Sequence, residues 1–153
     1  MFLGIAYYPE HWPKERWAID ARLMHEANIE AARVGEFAWS RFEPREGLYQ
    51  FDWMDEAIDT LAAAGCKTIM CTPTATPPAW LIHRHPEILP VDANGLTARP
   101  FGARRTYCAS VPVYHDYTRE IVTAMADHYG QNPNVIGWQI DNELANVYAL
   151  GQA

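Results

Sequence analysis

The chain has 153 residues, 49% hydrophobic and 20% charged, a balance that supports a packed core and excludes a disordered, highly charged chain. Its net charge of −7, with Arg104-Arg105 as the one tight basic pair, excludes a phosphate-backbone partner, so no nucleic acid is expected. No apolar run approaches the roughly 18 residues of a membrane span, and Met1-Phe2-Leu3-Gly4-Ile5-Ala6 has no basic lead-in typical of a signal peptide, so neither membrane nor export is expected.

From the N-terminus, strand-like runs alternate with helical patterns. The strands are predicted near Leu3 to Tyr7, Glu30 to Val34, Lys67 to Cys71 and Val135 to Ile140. Such alternation marks an α/β chain with a parallel sheet of βα units. The first helix is expected after Pro13, with Trp17, Ala21 and Met24 on one face and Asn28 breaking it. The second is expected from Asp52 as N-cap, with Met54, Ile58, Leu61 and Ala62 inward and Gly65 at its end. The third runs over Val113 to Tyr129, carries Ile121, Val122, Met125 and Tyr129 at helical spacing, and is closed by Gly130 and Pro133.

Between the third strand and that last helix lie roughly forty residues rich in Pro, Arg and Thr, too long for a bare connection and expected to form a functional loop with short helical turns. The three cysteines, Cys66, Cys71 and Cys108, are odd in number and contain no C-x-x-C, so neither a disulfide framework nor a self-contained zinc site is expected. A reducing, cytoplasmic location follows as the simplest expectation. His11, His83, His85 and His115 lack the spacing of a metal-binding helix.

The strongest local signal is Gly137-Trp138-Gln139-Ile140-Asp141-Asn142-Glu143, an apolar strand that ends in two acids and an amide. An Asn-Glu pair suits glycoside chemistry. A carboxylic acid protonates the glycosidic oxygen as it leaves, while the adjacent amide binds a sugar hydroxyl. The tripeptide alone suits a helix cap equally well. Glu36, at the end of the second strand, can bind a sugar or pair with an arginine, and the ion pair is the preferred reading. Six Trp and eight Tyr suit a carbohydrate site, though Trp17, Trp53 and Trp138 are expected in the core.

Taken together, Tyr7-Tyr8-Pro9-Glu10-His11-Trp12-Pro13, Arg33-Val34-Gly35-Glu36-Phe37-Ala38-Trp39-Ser40, Thr76-Pro77-Pro78-Ala79-Trp80-Leu81 and Asp141-Asn142-Glu143 resemble the successive strand-end motifs of glycoside hydrolase family 42. The resemblance covers residue 1 to about 145. It implies a (β/α)8 TIM barrel, of which residues 1–153 form the N-terminal half through strand four, since a whole barrel takes about 250 residues. It also implies retaining hydrolysis of terminal β-D-galactosides, with Glu143 as general acid/base and a nucleophilic glutamate after strand seven that nothing here matches. By the same resemblance Arg104 and Asn142 contact the sugar.

Some members of the family hold zinc through four cysteines, one at the place of Cys108 and the rest just beyond the strand-four glutamate. No cysteine lies in Leu144 to Ala153 and Gln152 stands at one ligand position, so no metal or other cofactor is expected. The chain alone is expected to be inactive and to expose the edges of strands one and four. The full enzyme is expected to be a homo-oligomer. The alternatives are a related barrel glycosidase acting on β-glucosides or α-L-arabinopyranosides, or a non-catalytic sugar-binding or assembly fragment.

Overall fold

The computed structural model describes residues 3–96, 101, 102 and 104–143. Four parallel strands lie in the order β1-β2-β3-β4, so each strand pairs with the next along the chain. The elements are β1 (Gly4–Ala6), α1 (Lys14–Glu26), β2 (Ala31–Val34), α2 (Trp39–Phe42), α3 (Asp52–Ala63), β3 (Lys67–Cys71), α4 (Ala79–Arg84), α5 (Pro112–Tyr129) and β4 (Val135–Gln139). This succession of neighbouring βα units leaves β1 and β4 at the two edges, as the sequence predicts.

The pleat divides the sheet into two faces. Ala32, Thr68 and Met70 are fully buried and share one face, under the helices. Ala6, Arg33, Ile69 and Gly137 lie side by side in register on the other. Against the first face α1 buries Trp17, Ala21 and Met24, and α3 buries Met54, Ala57, Ile58 and Leu61. A fully buried aliphatic of this size contributes about 1.5–3 kcal/mol, and truncating Ile58 to Ala costs about 2–5 kcal/mol. Ile121, Met125 and Tyr129 complete the core from α5.

Several boundaries differ from the sequence expectation, each for a local reason. Asp52 is the first residue of α3, and Phe51 holds the N-cap position without a side-chain hydrogen bond. Asp52 and Asp55 therefore act through the first-turn dipole. Pro13 precedes α1 at the N-cap, whereas Pro112 takes the first turn of α5. Ala62 and Val122 are only partly buried. Gly130 does not close α5 through a left-handed turn: its amide bonds to the Ala126 carbonyl, and a β-carbon there would lie 2.5 Å from that oxygen. The long loop after β3 contains α4 and a 3-10 turn at Pro86–Ile88, while α2 was not anticipated. Among the described residues, no helix is long and apolar enough to cross a membrane.

Candidate active site

The polar side chains gather where the strands end, just past their carboxyl termini. β2 leads through Gly35, whose φ of 83°, with the Phe42 ring only 3.2 Å from where a β-carbon would stand, excludes an ordinary side chain, into Glu36. Its carboxylate is buried, accepts hydrogen bonds from the Tyr8 hydroxyl at 2.8 Å and the Gln139 amide at 3.1 Å, and pairs with Arg33 at 2.9 Å. The ion pair preferred from sequence is thus formed. Arg33 also donates to Gln139, and Gln139 donates to the Asp141 carbonyl at 2.8 Å, so one network joins the ends of β1, β2 and β4.

β4 stops at Gln139 because the chain then turns. Asp141 (φ 54°) and Glu143 (φ 49°) are both left-handed, as is Arg105 (φ 61°) in the facing loop. These are three of the four non-glycine residues with positive φ among those described. Each costs roughly 1–3 kcal/mol and persists only where neighbours enforce it. For Asp141 the enforcement is visible. Its amide donates to the Thr72 hydroxyl at 2.8 Å, its carboxylate accepts from Thr74 at 2.8 Å and Tyr107 at 2.9 Å, and it also accepts from the Asn142 amide. Burial, then the Asp141 charge, raises the Tyr107 phenol well above its usual value, which keeps it a donor.

The three residues singled out from sequence meet here. Arg104 Nη2 lies 3.2 Å from Glu143 Oε2, and both side chains are about half exposed (53% and 49%). The Arg104 guanidinium stands 6.0 Å above the Phe37 ring, which in turn stacks nearly parallel on Tyr8. Asn142 is 7% exposed, and its Nδ2 has no hydrogen-bond partner among the described residues. A buried unpaired amide costs about 1–3 kcal/mol unless a ligand accepts from it.

Sequence reasoning did not single out Tyr8, Phe37, Thr74, Arg105 or Tyr107. Tyr8 and Phe37 lie inside the strand-end motifs, and Arg105 and Tyr107 inside the family-like stretch around Arg104, which was the available signal. Glu10 was also missed. Both of its oxygens are buried without a partner among the described residues, and burial, reinforced by the Glu36 charge, raises its carboxyl above the ordinary value.

Among the described residues no cluster of His, Cys, Asp or Glu is arranged to hold a metal. Cys108 is a free, buried thiol, and Gln152 lies outside the described residues. A groove of about 780 Å³ beside α1 and α3, lined by Ala21, His25, Thr60 and Gly65, carries no carboxylate.

Parallel strands paired in chain order with helices on one face are the architecture of the N-terminal half of a (β/α)8 barrel. The sequence profile of glycoside hydrolase family 42, described as beta-galactosidase, matches residues 6–150. The chain belongs to this family. It is 57% identical over 141 residues to a beta-galactosidase of Thermus thermophilus, covering 92% of this chain and 22% of that protein. It superimposes on the beta-galactosidase of the psychrophilic Marinomonas ef1 with a TM-score of 0.93 and 46% identity, over 99% of this chain and 24% of the other. The beta-galactosidase of Halorubrum lacusprofundi gives a TM-score of 0.90 at 42% identity, over 95% and 22%. The chain therefore spans between a fifth and a quarter of the length of these relatives.

Proposed function

We propose that these residues are the N-terminal portion of the catalytic barrel of a longer β-galactosidase, residues 1–153, in which Glu143 is the general acid/base and Arg104 and Asn142 bind the galactose. The pairing of Arg104 with Glu143 at 3.2 Å carries the reading, because it brings the acid and a hydroxyl-binding fork to one open place at the barrel's strand ends. An ion pair exposed on both sides is worth only ~0–1 kcal/mol, so a sugar can exchange its hydroxyls for the Glu143 contact. The unpaired Asn142 Nδ2 is then available to a sugar oxygen.

In the first step Glu143 donates its proton to the aglycone oxygen while a glutamate from the rest of the barrel attacks the anomeric carbon. In the second, Glu143 takes a proton from water, which releases galactose with its configuration retained. Tyr8 and Phe37 offer an aromatic face to the apolar side of the ring. The reading includes no cofactor, a cytoplasmic location, and a homo-oligomeric full-length enzyme with neither nucleic-acid nor membrane partners.

The test is kcat/KM of the full-length protein on aryl β-D-galactoside, β-D-glucoside and α-L-arabinopyranoside. Preference for the galactoside by tenfold or more is expected. Preference for either other sugar replaces the substrate, and binding of galactose without turnover of any replaces the enzyme with a sugar-binding protein.

A further inference from the structure

Arg104 and Arg105 are adjacent yet diverge, because Arg105 is left-handed at φ 61°. Arg104 reaches outward to the Glu143 carboxylate. Arg105 turns inward and is only 7% exposed, with no carboxylate among the described residues as hydrogen-bonded partner. Its Nη1 donates to the Asn142 carbonyl at 2.5 Å, while Nε and Nη2 are buried without partners among the described residues. Its own amide donates to the Ala75 carbonyl at 2.7 Å, tying this stretch of the loop to the end of β3. A guanidinium buried with two idle donors is unfavourable as packing alone. It needs a role at its one bonded atom.

The acceptor it bonds, the Asn142 carbonyl oxygen, belongs to the peptide group joining Asn142 to Glu143. The orientation of this peptide plane sets the φ of Glu143, which is 49° and strained for a glutamate. From the other side, Asp141 accepts from the Asn142 amide. The segment is therefore held at both of its peptide groups, by Asp141 before Asn142 and by Arg105 after it.

We infer that Arg105 is a positioning residue for the acid/base: its hydrogen bond to the Asn142 carbonyl holds Glu143 in the left-handed conformation that aims the carboxyl at the leaving-group oxygen. The inference rests on the proposed reading of Glu143. With Arg105 removed, the peptide relaxes toward ordinary φ and the carboxyl swings away, while the sugar contacts of Arg104 and Asn142 remain. Proton donation is lost selectively. Substrates whose leaving group needs that proton are affected, and those with a strongly acidic leaving group are spared.

The experiment compares Arg105→Met and Arg105→Lys with the unchanged full-length enzyme, on lactose and on 2,4-dinitrophenyl β-galactoside. It uses kcat/KM, which reports formation of the covalent intermediate. For Arg105→Met the value on lactose is expected to fall roughly 30- to 100-fold and on the dinitrophenyl substrate less than about threefold, as for a partial loss of general-acid catalysis. Arg105→Lys, which keeps a donor, is expected to recover part of the lactose rate. Equal losses on both substrates, or no loss, overturn the inference. If Arg105→Met does not fold, the same selectivity in Arg105→Lys decides. An unchanged full-length protein that hydrolyses neither substrate would instead overturn the β-galactosidase reading, and this inference with it.

Discussion

The ends of β2 and β4 each present a glutamate, and the two have opposite surroundings. Glu36 is buried and tied to Tyr8, Arg33 and Gln139. Glu143 is half open to water and, among the described residues, pairs with the half-exposed Arg104. A carboxylate saturated by donors in a closed site has no vacancy for a proton or a sugar, so it holds loops together. One that faces solvent beside an exchangeable cation can trade partners with a substrate. What separates a structural acid from a chemical one is thus the number of partners it must give up, not its place at a strand end.

Substitutions can break this contrast from either side. The largest effect is expected from Glu143→Gln, with kcat/KM on lactose falling about 10²- to 10⁴-fold while the urea midpoint barely moves; a fall of less than tenfold would make Glu143 a binding residue at most. Next comes Glu36→Ala, which leaves the Arg33 guanidinium without its carboxylate partner and is expected to cost about 3 kcal/mol in urea unfolding. Stability unchanged within experimental error would mean the network around Glu36 is ornamental. A smaller effect is expected from Arg104→Ala. KM for the galactoside should rise about tenfold, yet stability should change by less than about 1 kcal/mol, as befits an exposed pair. The smallest is expected at Cys71, which is fully buried on the β3 side of the Arg33–Glu36 network. Burial raises its thiol to about 12, so iodoacetamide at pH 8.5 should leave it unmodified in the folded protein. Labelling at the rate of a free thiol would show that the end of β3 around Cys71 is not packed shut.

The difference also explains what the sequence could and could not reveal. Strand and helix placement was legible because burial imposes periods. Trp17, Ala21 and Met24 in α1, and Met54, Ile58 and Leu61 in α3, face inward as their spacing requires. Arg104, Asn142 and Glu143 were found through family-like motifs, and the structure brings them together. Arg105 was hidden, because two adjacent arginines look alike until a positive φ sends one inward. The contact of Tyr107 with Asp141 was equally hidden, since it spans 34 residues and leaves no local pattern. The misplaced cap at Asp52 has a related cause: an acid at the start of a helix reads the same whether it caps the end or sits in the first turn. Sequence periodicity reports which side of an element is buried. It does not report how a loop meets a strand end.

The most direct test of the role of Glu143 is chemical rescue of Glu143→Ala in the full-length protein. Azide is added to the reaction with 2,4-dinitrophenyl β-galactoside and the product identified. Acceleration by azide with formation of β-galactosyl azide is expected, because the small anion enters the space left by the carboxylate and needs no general base. Formation of α-galactosyl azide would assign Glu143 as the nucleophile, and the absence of any acceleration would remove it from the chemistry altogether.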